Sequence, residues 1–477
     1  MKLIKIKKLD YKKSVVYLLP KTHNLRNLGL SEAEIQYIKE QLEYDKNNFK
    51  FNKYFGKFIF LSFFSDEDNK IKQLDNARKN AKKILSLSNG EYIENLQIKS
   101  FDIDKDVVFA FIEGIVLSNY QYLKYLTKEV EKKKNSLKVL EVEEAEITEK
   151  ELENILFLSE AVNKARDLVN EPYPALNSEN LPEIIKELSQ EAGFELEVLQ
   201  RKQIESLRMG GLIAVNRGSK FSPSFSILTY NPENAKNDKP IVLVGKGIVF
   251  DTGGLNLKPT GYIEEMKTDM AGAAAVISTI YAAAKMNLPI YLIGLVPSTD
   301  NTINERSYVP GEVITMHNGM TVEIRNTDAE GRLILADALS YAKKYDPSLV
   351  ICLATLTGSA MRAVGPYASA MFAKTDEDLS QKLIDAGFEV FERLVQFPLW
   401  EEYGEMIKSD IADIKNLGGS NAGLITAAKF LENFTDYPWI HLDIAPNAYL
   451  SGNKIYFGKG ATGIGVRLLI RFLQKYI

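Results

Sequence analysis

The chain has 477 residues, a length that predicts two or three domains. Its composition, with 45% hydrophobic, 10% aromatic and 26% charged residues, is typical of a globular protein with a large core and excludes general disorder. The formal net charge of −4 excludes a strongly basic protein that binds polyanions with its whole surface, and the single Cys352 excludes a disulfide framework.

The N-terminal sequence carries no sign of a targeting segment. Lysines are spread through residues 1–8, and the first apolar run, residues 15–19, is too short for the core of a signal peptide. No stretch approaches 18 uncharged apolar residues, so no membrane span is predicted. We therefore expect a cytoplasmic protein with no membrane partner.

Residues 1–145 alternate strand-like and helix-like segments. Apolar runs at 58–64 and 107–112 are typical of strands, and a polar stretch at 73–85 has helical character. These patterns predict a small N-terminal α/β domain, for which a role in oligomerisation or regulation stays open.

A connecting helix is predicted over residues 146–172. Apolar residues recur at helical spacing from Ile155 to Leu168. The prolines at 172 and 174 then forbid continuation of the helix.

Residues 173–477 alternate strands and helices again, and they predict a second, larger domain. Several of its apolar runs are continuous and bounded by turn residues, a pattern typical of strands buried on both faces of a parallel sheet. The sequence therefore predicts an α/β fold with a mostly parallel central sheet flanked by helices. The predicted strands are 194–199, 226–230, 240–245, 290–296 and 349–355, and the predicted helices are 271–285 and 332–344.

Charged residues concentrate in two segments, 244–272 and 326–333, which follow predicted strands. Because the carboxyl ends of parallel strands meet at one edge of a sheet, we expect these side chains to converge. Four crowded carboxylates would raise one another's pKa unless cations neutralise them. Divalent ions are the simplest solution, and hydrolytic sites often hold two of them about 3.5–4 Å apart. The charged residues are Lys246, Asp251, Lys258, Asp269, Asp328, Glu330 and Arg332.

Each of these residues also has a simpler interpretation when it is taken alone. Asp328 could cap the helix that follows it, Lys246 could be a turn lysine between two glycines, and Asp251 could belong to an ordinary turn. Two nucleotide-binding motifs are excluded. The segment around Lys246 lacks the Gly-Lys-Ser/Thr ending of a P-loop and the third glycine of a dinucleotide-binding loop.

The segment Asn326-Thr-Asp-Ala-Glu-Gly-Arg-Leu333 matches the signature of the leucyl aminopeptidase family, and the chain resembles that family over about residues 150–477. The resemblance implies that 173–477 is the catalytic domain of a dinuclear metallopeptidase. It also implies removal of N-terminal amino acids from peptides, with Leu and other apolar residues preferred. Further matching segments are Val244-Gly-Lys-Gly, Phe250-Asp-x-Gly-Gly, Lys258-Pro259, Asp269-Met270, Ala354-Thr-Leu-Thr-Gly358, His441-Leu-Asp-Ile-Ala445 and Thr462-Gly463.

The resemblance implies a metal ligand role for five residues. Asp251 and Glu330 would bridge two divalent ions, Mn²⁺ or Zn²⁺ and also Co²⁺ or Mg²⁺. Asp328 would complete the readily exchanged site, partly through its main-chain carbonyl, and Lys246 and Asp269 would complete the tight site. Because an amine ligates only when it is deprotonated, the ions would have to lower the pKa of Lys246.

The resemblance also implies catalytic and substrate-binding roles. Lys258 would donate to the developing oxyanion, and Arg332 would hold a bicarbonate that relays protons. Asn326 and Leu356 would contact the substrate main chain, while five others would line the pocket for the first side chain. These five are Met266, Thr355, Gly358, Ala445 and Ala448.

Two other function classes are disfavoured. A dinuclear phosphoesterase usually adds histidine ligands, but the three histidines lie far from the carboxylates in sequence, and we expect His441 to be structural. Nucleic-acid binding is suggested only by residues 1–150, where 28 Lys and Arg are interspersed with 23 Asp and Glu and no binding motif occurs. The expected partners are peptide substrates and, from the resemblance, identical subunits in a homohexamer.

Overall fold

The structure, a computed structural model, describes residues 1–54, 56–65, 69–173, 175–452 and 456–476. The chain forms two units: Met1–Ser159 with the described residues of Asn453–Gly458, and Glu160–Gly452 with the described residues of Lys459–Ile477. In the part of the chain described, no helix has both the length and the apolar character needed to cross a membrane.

The first unit is built on a six-stranded sheet within the described residues. Its strands are β1 (Lys2–Lys5), β2 (Ser14–Pro20), β3 (Asn48–Asn52), β4 (Phe58–Phe64), β5 (Asn95–Ser100) and β6 (Val139–Glu143). They lie in the order β1-β6-β5-β2-β4-β3, with every pairing parallel except β3 with β4. The helices that belong to this unit are α1 (Glu32–Leu42), α2 (Lys70–Asn89), α3 (Lys105–Ser118) and α4 (Val130–Lys133).

One predicted strand of this unit is wrong. Residues 107–112 lie in helix α3, which is capped where Asp104 accepts a hydrogen bond from the amide of Asp106. The apolar run continues far beyond strand length, and α3 packs closely on α2. A Cβ at Gly114 would lie 2.7 Å from the Cα of Arg78, so only glycine permits this approach.

A long helix, α5 (Glu149–Asn170), follows the first sheet. In the half that belongs to the second unit, Ala161, Val162 and Ala165 recur at helical spacing and are buried. The helix ends two residues before Pro172, whose ring cannot continue it.

The second unit contains a nine-stranded mixed sheet in its described part. The remaining strands are β7 (Glu195–Gln200), β8 (Ser224–Tyr230), β9 (Ile241–Gly245), β10 (Gly247–Asp251), β11 (Leu292–Asn301), β12 (Val313–Thr315), β13 (Thr321–Glu323), β14 (Leu349–Ala354), β15 (Ser369–Lys374), β16 (Leu394–Gln396), β17 (Ile414–Lys415), β18 (Trp439–Asp443), β19 (Tyr449–Leu450) and β20 (Gly460–Ala461). The large sheet has the order β16-β15-β18-β14-β9-β11-β8-β7, and β10 pairs with β11.

The centre of this sheet is parallel, as predicted. Strands β18, β14, β9 and β11 run in the same direction, and their residues are almost entirely buried. Helices α9 and α10 pack on this central part. The predicted α/β fold is therefore confirmed. The helices of the unit after α5 are α6 (Leu181–Ala192), α7 (Arg201–Ser206), α8 (Gly210–Asn216), α9 (Ala271–Lys285), α10 (Gly331–Ala342), α11 (Gly358–Val364), α12 (Glu377–Val390), α13 (Glu401–Glu405), α14 (Gly423–Glu432) and α15 (Val466–Tyr476).

A buried ion pair anchors the start of α15. The side chains of Arg467 and Glu392 are 0% and 1% exposed, with Nη1 and Oε1 3.4 Å apart. The Oε2 atom of Glu392 also accepts hydrogen bonds from the amides of Gly465, at 2.9 Å, and Leu468, at 3.3 Å. One carboxylate therefore serves both the guanidinium and the first turn of the helix.

We expect Glu392→Ala to lower the free energy of unfolding by about 3–5 kcal/mol, because it leaves the Arg467 charge buried without this partner. Urea denaturation of the purified protein measures the loss. Asp378→Ala, which removes an exposed ion pair with Lys382, is the control and should cost less than about 1 kcal/mol. Equal losses in the two variants would contradict the prediction.

Candidate active site

The structure brings the seven predicted charged residues together at the carboxyl ends of the central strands. Lys246 lies between β9 and β10, Asp251 ends β10, and Asp269 lies in a 3-10 helix, Ile263–Met270, that leads into α9. Asp328 and Glu330 precede α10, whose first turn contains Arg332. Carboxylate oxygens of Asp251, Asp328 and Glu330 lie within 4.8 Å of one another.

Two lysines join these carboxylates. The Nζ of Lys246 lies 2.7 Å from Asp269 Oδ2 and 2.9 Å from Glu330 Oε1. The Nζ of Lys258 lies 2.7 Å from Asp251 Oδ2 and 2.5 Å from Asp328 Oδ1. Each lysine thus binds one pair of acids.

Glycines permit this close packing. A Cβ at Gly331 would lie 2.3 Å from the Cε of Lys246, so a larger residue would displace the lysine. Gly253 has a φ of +87°, in the region that favours glycine, and its amide donates to Asp251 Oδ1 at 2.8 Å. The glycine-rich sequence of the first segment is therefore explained by the site.

The acidic side chains differ in exposure. Asp251 and Glu330 are 1% and 2% exposed, whereas the side chain of Asp328 is 33% exposed. Burial raises the pKa of Asp251 and Asp269, and the carboxylate of Glu330 raises both further. Burial and the same carboxylate raise the pKa of Asp328 to about 7. Asp251, Asp269 and Asp328 therefore resist full ionisation without more positive charge. For Glu330, by contrast, Lys246 and Lys258 outweigh burial and lower the pKa.

Lys246 is held in its charged form by the protein. Burial alone would lower its pKa, but the carboxylates of Asp269 and Glu330 outweigh burial and raise the pKa above its ordinary value. The lowered pKa that metal ligation requires would therefore have to come from bound cations.

The acids fit a divalent cation. Within the described residues, the buried Oε2 atom of Glu330 accepts no hydrogen bond. A buried carboxylate oxygen without a donor is costly, and a hard cation satisfies it. One oxygen from each of Asp251, Asp328 and Glu330 lies within 4.8 Å of the others, so the group offers the ligand type that divalent ions prefer.

A second set of polar residues holds the acids in place, and the sequence analysis missed them. The Nδ2 of Asn301 donates to Asp251 Oδ1 at 2.8 Å and to the carbonyl of Thr327 at 3.0 Å. The Oη of Tyr308 donates to the same carbonyl at 2.7 Å. Asn301 ends β11, five residues beyond the predicted strand 290–296, so no sequence signal marked it.

The loop after β14 is held between two aspartates. Thr355 Oγ1 donates to Asp269 Oδ1 at 2.8 Å. The carboxylate of Asp443 accepts from the amide of Leu356 at 3.1 Å and from Thr357 Oγ1 at 2.8 Å. Asp443 was missed as a site residue, although it lies in a segment that carried the family resemblance. The predicted substrate contacts Thr355 and Leu356 therefore lie beside the carboxylates.

The other predicted substrate residues occupy nearby segments. Met266 is half-buried in the 3-10 helix that contains Asp269, and Asn326 accepts a hydrogen bond from the amide of Asp328 at 2.7 Å. Gly358 begins α11, and Ala445 and Ala448 follow β18. Their contacts with a substrate side chain remain a prediction.

Histidine takes no part in the carboxylate group found among the described residues. His441 is 1% exposed, and burial lowers its pKa to about 3, so it is neutral at physiological pH. His317 contacts the hydroxyl of Ser340 through Nδ1 at 2.7 Å. The expected structural role of His441 agrees with this burial.

Arg332 is a buried cation that lacks a full set of acceptors. Its Nη1 donates to the carbonyl of Asn416 at 2.6 Å, whereas its buried Nε has no acceptor among the described residues. Burial lowers its pKa to about 10, so the guanidinium stays charged near neutral pH. The site can therefore accept a small anion beside this residue.

Comparison with known proteins gives a family match. The model of the cytosol aminopeptidase family, catalytic domain, matches residues 163–470. The chain is 46% identical over 381 residues to a probable cytosol aminopeptidase of Chlorobium limicola, covering 77% of this chain and 75% of that protein. It is 52% identical over 319 residues to one of Chlorobaculum parvum, covering 66% and 62%.

Solved structures are similar over nearly the whole chain. The bottromycin maturation enzyme BotP in complex with Mn has a TM-score of 0.86 and 29% identity, covering 97% of this chain and 99% of that chain. A tomato leucine aminopeptidase mutant has a TM-score of 0.86 and 26% identity, covering 99% and 96%. The predicted family, fold and exopeptidase activity are thereby confirmed. The chain belongs to the cytosol aminopeptidase family and is a metal-dependent peptidase that removes residues from the N-termini of its substrates.

Proposed function

We propose that this peptidase uses two divalent ions per subunit, Mn²⁺ or Zn²⁺ and also Co²⁺ or Mg²⁺, and prefers N-terminal Leu and other apolar residues. The observation that carries the proposal is the convergence of oxygens from the carboxylates of Asp251, Asp328 and Glu330, together with a buried oxygen of Glu330 that lacks a donor. A Mn complex of a similar protein agrees with it. The residues that would hold the ions are Lys246, Asp251, Asp269, Asp328 and Glu330.

When bound, the ions would supply an acidified water as nucleophile and would polarise the scissile carbonyl. The protein supplies orientation and charge. Asp251 and Glu330 are nearly unexposed and are held by Asn301 and Lys246, so their oxygens are fixed before substrate arrives. Preorganised charge of this kind needs no rearrangement during the reaction.

Lys258 is proposed as the donor to the oxyanion. Its side chain is 16% exposed, between the buried Asp251 and the more exposed Asp328, so its ammonium lies on the accessible side of the carboxylates. Burial alone would lower its pKa, but Asp251 and Glu330 outweigh burial and raise it. These carboxylates therefore favour the charged form of the side chain, which is the form that donates.

Arg332 is proposed to hold a bicarbonate that relays protons. The buried Nε without an acceptor supports an anion at this place. The helix α10 begins one residue earlier, and the positive end of a helix also attracts anions.

The proposal is tested with the chromogenic amide of leucine and its N-acetylated form. The acetylated compound offers no free amine that could bind one of the proposed ions. We expect its cleavage to be at least about 10–100-fold slower. Release of the chromophore measures both rates, and equal rates would contradict recognition of a free N-terminus.

Removing the metal from the protein with a chelator tests the role of the ions separately. We expect the dialysed protein to lose activity on the leucine amide and to regain it when Mn²⁺, Co²⁺ or Zn²⁺ is added. Calorimetric titration of the dialysed protein should register two ions per chain. Full activity after removal of metal, verified by elemental analysis, would exclude the proposed mechanism.

The remaining proposals concern the domains of the chain, its substrates, its location and its oligomeric state. We propose a catalytic domain over residues 173–477, a connecting helix over 146–172 and an N-terminal domain over 1–145 with an oligomerisation or regulatory role. The family model, which begins at residue 163, supports this division. We also propose peptide substrates, a cytoplasmic location and a homohexamer, in line with the names and the family of the relatives. Sedimentation velocity measures the assembly.

A further inference from the structure

Asn416 is a buried residue whose hydrogen bonds run to the segment that carries two of the acids. It follows β17, which pairs in parallel with β13, and it is 0% exposed. Its amide donates to the carbonyl of Glu323 at 3.0 Å and so continues the pairing of the two strands. The residue therefore lies beside the segment 325–332 although it is some 90 positions away in sequence.

The side chain of Asn416 uses both of its polar atoms on this segment. Its Oδ1 accepts from the amides of Arg325 at 2.7 Å and Asn326 at 3.3 Å. Its Nδ2 donates to the carbonyls of Asn326 at 2.7 Å and Ala329 at 3.5 Å. Its own carbonyl accepts from Arg332 Nη1 at 2.6 Å. A single residue therefore contacts the segment on both sides of Asp328 and also holds the buried guanidinium.

These contacts fix the turn and leave one carbonyl available. The carbonyls of Asn326 and Ala329 accept from Asn416, and that of Thr327 accepts from Asn301. Within the described residues, the carbonyl of Asp328 between them accepts no hydrogen bond. In the turn of residues 326–329, Asn416 and Asn301 thus donate to the carbonyls of the other three residues. The carbonyl of Asp328 is left available to a ligand.

We propose that Asn416 is a positioning residue that holds this turn and Arg332 in the geometry that metal binding and catalysis require. The inference deepens the proposed two-ion function and rests on it. Outer residues that orient metal ligands commonly contribute 10–100-fold to metal affinity or activity. The contacts of Asn416 flank Asp328, so the ion that Asp328 helps to hold should be the one affected.

The test compares Asn416→Ala and Asn416→Asp with the wild type by calorimetric titration of the metal-free, full-length protein with Mn²⁺. We expect the weaker of the two wild-type sites to lose about 10–100-fold in affinity in both variants, with a parallel loss in kcat. Aspartate has the volume of asparagine but no donor, and it would face the carbonyls of Asn326 and Ala329. It should therefore fail to rescue function, whereas a role in packing alone predicts that it rescues function fully.

Asn216→Ala is the matched control. Asn216 is 0% exposed, its Nδ2 donates to the carbonyl of Phe221 at 2.9 Å and to Thr299 Oγ1 at 3.0 Å, and its Oδ1 accepts from Arg201, so none of these hydrogen bonds reaches an acid of the cluster. It should lose thermal stability but keep wild-type affinity and kcat.

Three outcomes would each overturn either the positioning role of Asn416 or the proposed two-ion function. Wild-type Mn²⁺ affinity in folded Asn416→Asp would overturn the positioning role. Failure of both Asn416 variants to fold, seen by thermal unfolding, would also overturn it, because the role would then be one of stability. Absence of two-ion uptake by the wild type would instead overturn the proposed function.

Discussion

Replacing Glu330 with alanine is expected to lower kcat/KM by on the order of 10³-fold or more, together with loss of bound divalent ions. The proposed ions would supply several kcal/mol of barrier reduction, and each 1.36 kcal/mol is a factor of ten in rate. Glu330 belongs to two sets of contacts in the site. Its Oε1 lies 2.9 Å from Lys246 Nζ, and one of its oxygens lies in the cluster with Asp251 and Asp328. Metal content by elemental analysis and steady-state kinetics on the leucine amide are the two measurements.

A buried carboxylate outside the cluster provides the control for Glu330→Ala. Asp337 is 0% exposed and accepts from the amides of Leu212 and His317, both at 2.9 Å. Asp337→Ala should destabilise the protein, because it leaves buried amides unpaired, but it should keep both ions and the wild-type rate. Retention of two ions by Glu330→Ala would show that this carboxylate is not a shared ligand.

The convergence of the acids could be predicted because the strands that precede them are strongly marked. Continuous apolar runs identified β9, β11 and β14, and parallel strands place their carboxyl ends along one edge of the sheet. Four carboxylates converging in this way then predicted a site for divalent ions, which stays a prediction. The signature segment added the family, and the structure brings its residues Asp328 and Glu330 close to Asp251.

The supporting residues could not be predicted in the same way. Asn301, Asn416 and Asp443 are single polar residues on three different segments, and only the folded chain shows that they hold the acids and the loop beside them. The misassigned segment 107–112 has a related cause. Continuous apolar sequence is typical of a buried strand and of a buried helix alike, and the close approach of Gly114 to α2 became visible only in three dimensions.

Replacing Lys258 with alanine is expected to lower kcat by about 10²–10³-fold, equivalent to about 3–4 kcal/mol, while both ions stay bound. Its ammonium lies 2.7 Å from Asp251 Oδ2 and 2.5 Å from Asp328 Oδ1, so it stabilises the same carboxylates that a cation would. Removing it leaves those carboxylates less neutralised. Their affinity for divalent ions should therefore stay the same or rise, the opposite of the effect of Glu330→Ala.

The opposed effects on metal binding separate a catalytic lysine from a structural one. Lys258→Met keeps the apolar stem of the side chain and should lose as much rate as alanine, since only the charged donor matters to the oxyanion. Lys343→Ala, which removes a lysine paired with the exposed Asp436, should leave both kcat and metal affinity unchanged. Because calorimetry and kinetics are measured on the same preparations, weakened Mn²⁺ binding in Lys258→Met would identify Lys258 as a residue that organises the ligands. An unchanged kcat would instead exclude it as the oxyanion donor.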